Sequence, residues 1–177
     1  AQRVVKMVEH MEMQNSTHFL DYYRKVKGRT RRLLPLLPED RLEWRYRAGV
    51  FSPGDIVRHL ALLERWMFAE NVQFRPSQYS GCGVEYAEGA EAVEQLYVSL
   101  GDESEKIFAN LSDADLQRKC QTPAGIEIRL WKWLRAMIEH EAHHRGQLYM
   151  YLSLLEIPSP PLYGLTSEQV ADSRKNN

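Results

Sequence analysis

Cysteine, glycine and proline are sparse in this chain, and charge of one sign does not accumulate. Among 177 residues there are two Cys, 10 Gly and 8 Pro, too few for a disulfide scaffold, a collagenous repeat or a low-complexity linker. Cys82 and Cys120 stand far apart with no Cys-x-x-Cys spacing, which suits two isolated thiols in a reducing compartment. No apolar run approaches the roughly 20 residues that span a bilayer. Residues 1–14 alternate charge with Val and Met and lack the apolar centre of a signal peptide. These absences lead to the expectation of a cytoplasmic protein. Lys and Arg number 23 against 24 Asp and Glu, a formal charge of −1. A general nucleic-acid binder or an anionic-membrane binder needs an excess of basic residues, so neither is expected.

Hydrophobic residues make up 44% of the chain and charged residues 27%, the balance of a globular protein. One domain over residues 1–177 is expected, with a short tail from 157. Four stretches repeat apolar residues at helical spacing. The first runs through Phe19, Tyr23, Val26, Thr30, Leu33 and Leu37, giving a helix over about residues 17–37 with Ser16 as its cap. The second opens at Ser52-Pro53-Gly54-Asp55, where Ser52 caps, Pro53 sits where no amide donor is needed, and Asp55 favours the positive helix end. Ile56, His59, Leu60, Leu63 and Met67 share its face to about Gln73. Pro76, Gly81 and Gly83 make residues 75–88 a connection. Val93, Leu96, Leu100, Ile107 and Leu111 mark the third helix, which Gly101 weakens by about 1 kcal/mol relative to Ala. The stretch from Ser112 to Gly125 reads as irregular, with Ile126–Arg129 extended. The fourth helix covers about 130–155, and Thr166 with Gln169 suggests a capping box in the tail. Such stripes must bury one another, so the fold expected is all-α, a four-helix bundle with long crossovers.

Three of the six histidines fall within five residues: His140, His143 and His144. His140 and His144 are four apart, so their rings project from one helix face a turn apart. Imidazoles so placed can share a metal at about 2.0–2.1 Å. His59, on the apolar face of the second helix, is the candidate third ligand from across the bundle. The alternative for each ring is a hydrogen-bonded structural histidine. His143, rotated about 100° from His144, is assigned a supporting or surface place, and His10 and His18 are read as surface residues.

At His140-Glu-Ala-His-His144-Arg-Gly-Gln147 the sequence resembles the DinB/YfiT-like superfamily of bacterial metalloenzymes. Thr17-His-Phe-Leu-Asp-Tyr-Tyr-Arg24, Asp55-Ile-Val-Arg-His59-Leu and Pro161-Leu-Tyr-Gly-Leu-Thr166 extend that resemblance over nearly the whole chain. It implies an up-down-down-up four-helix bundle with a long crossover between the second and third helices. It also implies nickel or zinc held by His59, His140 and His144, a homodimer, and relatives that are thiol-dependent transferases and isomerases using bacillithiol or mycothiol. The function expected is hydrolase or thiol-dependent transferase chemistry on a small molecule.

Three readings follow. In the first, three neutral imidazoles leave coordination positions open, and a water or thiol bound to the ion would lose its proton near neutral pH. Glu141 is then a candidate proton acceptor or else a solvated helix residue, Arg145 a candidate anchor for an anionic group or else a surface ion pair, and Asp55 a candidate partner orienting His59 or else only a helix-start residue. In the second, a metal only staples helices in a non-catalytic module. In the third, His140-Glu141-x-x-His144 is the H-E-x-x-H of a zinc protease, with Glu141 as general base; the metzincin Gly is out of register at Gly146, which counts against it. The basic run Arg24–Arg32 reads as a solvated helix face. Cys82 and Cys120 are given no catalytic place, and Trp44, Trp66, Trp131 and Trp133 are read as core or dimer-interface aromatics. Gly146 suggests a close helix approach.

Overall fold

The computed structural model describes residues 13–175 and is mostly helical. Helix α1 spans Ser16–Arg31. Its cap is Asn15, whose side chain accepts from the amide of His18, and not Ser16, which is the first helical residue. The expected continuation to residue 37 stops at Arg31, because Pro35 has no amide to donate back to that carbonyl and its ring clashes there. A 3-10 turn at Leu34–Leu36 replaces it. Helix α2 spans Pro53–Leu63 with Ser52 as its cap, as expected, and Asp55 completes a capping box by accepting from the Ser52 amide. It runs on through a π-helical segment, Glu64–Phe68, and a last turn at Ala69–Asn71. Helix α3 spans Ala90–Ala109.

The stretch after Ser112 is more ordered than its sequence suggests. Ser112 and Asp115 form a capping box for the short helix α4, Asp113–Gln117. Strands β1 (Lys119–Gln121) and β2 (Glu127–Arg129) then pair antiparallel, with Cys120 opposite Ile128. Gly125, at φ +75°, turns the chain between them, in a conformation other residues avoid. Helix α5 spans Leu130–Leu154 and helix α6 Ser167–Ser173, the latter opened by the Thr166–Gln169 box.

The four long helices bury two apolar clusters. Leu33, Ile56, Leu60, Tyr97, Leu148 and Leu152 belong to one; Phe19, Tyr23, Phe68, Phe108, Leu130 and Leu134 to the other. Each such side chain contributes about 1.5–3 kcal/mol on burial. The clusters are joined by buried charge. Lys27 lies 3.1 Å from Glu64 and 3.4 Å from Glu141, while Tyr23 donates to Glu64 and Tyr97 to Glu141. Burial pushes Glu64 above the usual carboxylate range; Glu141, equally buried, is held below it by Lys27 and its hydrogen bonds.

Arg58, fully buried, holds the connections to α2. Its guanidinium donates to both oxygens of Glu43, to Asp55, and to the carbonyls of Cys82 and Ala87. Gly54 leaves room for this pair, since a Cβ there would sit 2.6 Å from Glu43 Oε1 and the ion pair would have to shift. Replacing Arg58 by Met strands these acceptors. The variant is expected to lose about 3–5 kcal/mol, read as a melting temperature lower by about 10 °C or more, with faster proteolysis of residues 75–88.

Candidate metal centre

The three sequence-predicted histidines come together. His59 projects from α2, and His140 and His144 from successive turns of α5; one ring nitrogen of each lies within 4.8 Å of the others. His59 Nε2 and His140 Nε2 are 3.0 Å apart. Two nitrogens bound tetrahedrally to one zinc at about 2.0–2.1 Å would stand about 3.3–3.4 Å apart, close to that spacing. Among the described residues no fourth His, Cys, Asp or Glu joins the group.

The remaining ring nitrogens are held. His144 Nδ1 lies 2.7 Å from Gln147 Oε1, which can only accept, so Nδ1 carries the proton and Nε2 keeps its lone pair. Gln147 in turn reaches His143 at 3.4 Å, and His143 is exposed, as its rotation on the helix requires. His59 Nδ1 lies 2.8 Å from Tyr79 Oη. The Tyr79 hydroxyl, which can donate or accept, thereby holds the His59 ring in place from outside the cluster. Tyr79 sits in the connection between α2 and α3, where no periodicity marks it, and was not legible beforehand. Asp55 does not orient His59: it accepts from the Ser52 amide, Arg45 and Arg58.

Burial, then the repulsion of neighbouring imidazoles, brings His59 down to about 3 and His140 to about 4; His144 is lowered too, chiefly by burial. All three rings are therefore neutral near pH 7, the form that ligates a metal. Phe51 lies over them, with ring centroids 5.2 Å from His59 and 6.2 Å from His144. Beside His144 opens a cavity of about 840 Å³ lined by the loop 46–51 and the exposed side of α5.

Other candidates fall elsewhere. Glu141, turned about 100° round α5 from His140, is 97% buried, with one carboxylate oxygen 2.5 Å from Tyr97 Oη and the other facing Lys27. It is neither a solvated helix residue nor the free carboxylate that an H-E-x-x-H general base requires. Arg145 is no surface ion pair or anion anchor either; it is buried and donates to the Val26 carbonyl of α1. Cys120 is buried on β1 and Cys82 half-buried, and burial raises both thiols, so neither is a ready thiolate. Trp131 and Trp133 pack in the second cluster, while Trp44 and Trp66 pack on the first. Within the basic run, Arg24 and Arg31 pair with Glu105 and Asp102 of α3, and Lys27 is buried. His18 is exposed; His10 lies outside the described residues. No helix among the described residues is long and apolar enough to cross a membrane.

A mostly helical protein with three converging histidines is the class that fold and site define. The profile of the DinB superfamily matches residues 22–148, and the chain belongs to that superfamily. Among solved structures it is similar to a DinB-like protein from Bacillus cereus ATCC 10987, at TM-score 0.72 and 17% identity, covering 84% of this chain and 97% of that one. A DinB-like protein from Bacillus subtilis matches at TM-score 0.65 and 16% identity, over 84% and 99% of the two chains. A mycothiol-dependent maleylpyruvate isomerase matches at TM-score 0.60 and 15% identity, over 75% of this chain and 60% of the other. No curated protein matches the chain.

The depressed histidines make metal-free stability pH-dependent. Unfolded, each ring takes a proton near pH 6.5; folded, His59 and His140 stay neutral to about 3 and about 4. The unfolded state thus binds more protons below pH 6.5, so stability is full above that pH and falls on acidification towards pH 4. Thermal melts of the metal-free protein are expected to show this slope, and a His59→Gln/His140→Gln variant to flatten it.

Proposed function

We propose that the chain is a metal-dependent enzyme in which His59, His140 and His144 hold a nickel or zinc ion, acting on a small molecule by hydrolase or thiol-dependent transferase chemistry. The observation that carries this is the convergence of three neutral imidazoles, two with their Nδ1 atoms already committed, at the edge of a cavity. A bundle of up-down-down-up connectivity accords with the long connection from Val72 to Gly89 between α2 and α3. When bound, the ion would supply Lewis acidity for an electrophile or for a thiol.

The chain's own residues have distinct tasks. Gln147 fixes the tautomer of His144 and Tyr79 holds the ring of His59, so that Nε2 of each ring faces the centre. Phe51 limits water on the rings it covers. Glu141, through Lys27 and Tyr97, ties α5 to α1 and α3 and so holds His140 and His144 in register with His59. The thiol-dependent branch draws support from the shared fold of the mycothiol-dependent isomerase. A purely structural staple calls for a closed fourth ligand, and the cluster of three leaves that place for substrate.

Protein purified without an affinity tag is expected to carry about one equivalent of nickel or zinc, lost in His59→Ala and in His140→Ala, by elemental analysis. Stoichiometric metal in the double variant would overturn the ligand assignment. Metal-loaded protein should turn over an electrophile with bacillithiol or mycothiol, or hydrolyse a small ester; an inert but metal-stabilised protein would favour the staple. Replacing Tyr79 by Phe removes the hydrogen-bond partner of His59 Nδ1, and metal affinity should fall about 10–100-fold, measured by competition with a chromophoric chelator.

A further inference from the structure

Four of the chain's exposed large apolar side chains, Tyr46, Phe51, Met150 and Leu154, line the same cavity of about 840 Å³, although they come from two separate segments. Scattered apolar residues are ordinary on a surface; a contiguous group around a concavity marks a binding site. The volume falls in the range of small-molecule pockets. His144 and Gln147 contribute the polar wall next to the histidine cluster. Among the described residues Arg47 is the one permanently charged residue of the lining, and no acidic residue lines the cavity. Its only partner among the described residues is the Tyr46 ring, 5.8 Å from the guanidinium carbon.

Gly146 supplies an independent observation. It lies inside α5, where glycine weakens a helix, and a close helix approach would have been the ordinary reason for it. The structure removes that reason: a Cβ at Gly146 would meet nothing within 4 Å. The space left open is the cavity that Gly146 lines. The missing side chain keeps the pocket clear beside His143 and His144.

We infer that this cavity takes an elongated apolar or aromatic molecule bearing an anionic group, with its body against Phe51, Met150 and Leu154, its anion at Arg47, and its reacting atom at His144. As a substrate class this rests on the metal-centre reading above. The anion selects among apolar compounds, because an ammonium or a second cation would meet Arg47 with like charge.

The test uses the full chain, metal-free, with two probes of similar body: anionic 8-anilinonaphthalene-1-sulfonate and neutral N-phenyl-1-naphthylamine. Each is expected to bind saturably, one per chain, by fluorescence titration. Gly146→Leu should weaken both at least about tenfold by filling the pocket, with unchanged helical circular dichroism and metal uptake. Arg47→Gln should weaken the sulfonate about 5–10-fold and leave the neutral probe alone. Gly146→Ala should raise the melting temperature by about 2–4 °C, as helix propensity alone requires. Unchanged probe affinities in Gly146→Leu would overturn the assignment. So would probe release on raising protein concentration, which would show a second copy of the chain covering the patch. An unsubstituted chain that takes up one metal equivalent but binds neither probe refutes only the substrate class; one that binds both probes but takes up no metal refutes only the metal centre.

Discussion

A single buried guanidinium organises the half of the molecule that carries the site. Arg58 lies one residue before His59 on α2, and its donors are spent on Glu43, Asp55 and the carbonyls of Cys82 and Ala87. A buried charge is tolerable only when its hydrogen bonds are made. Arg58 therefore compels the loop before α2 and the connection after it to lie against the same turn of helix. That placement brings Tyr79 to His59, and Phe51 over the rings.

Helix α5 divides polar labour between its two sides. His140 and His144 turn to α2 and the cavity, while Glu141 and Arg145, each one residue further on, turn to α1 and α3. The 100° step of an α-helix separates the two functions. The inner carboxylates share Lys27, and the π-helical segment that begins at Glu64 is where α2 brings the second of them inward. The imidazoles, by contrast, are neutral because burial and mutual repulsion disfavour their charge. One helix thus presents a tightly ion-paired face and an uncharged ligating face.

Local signals were readable where chemistry is local. The Ser52 cap, the His140/His144 spacing and the apolar stripes need only neighbours in sequence, and each appears in the structure. Pro35 gave warning of the early end of α1, yet the apolar pattern runs on to Leu37 because those residues still enter the core from a 3-10 turn. Arg145 and Glu141 turned inward, and Asp55 kept only its helix-start place, for a common reason: a polar side chain on a helix has several reachable partners, and packing chooses among them. Tyr79 could not be found at all, since its role depends on where a connection without periodicity returns.

What the amino-acid order determined by itself was the four long helices, the Ser52 and Thr166 caps and the pairing of two imidazoles on one face, all consequences of backbone periodicity and short-range hydrogen bonding. The tertiary structure alone decided that His59 meets that pair, that Tyr79 holds the His59 ring, that Glu141 belongs to the core, and that Gly146 opens onto a cavity. Those relations join residues dozens of positions apart, and only close packing of the helices brings them within the few ångströms at which hydrogen bonds, ligation and exclusion of water operate.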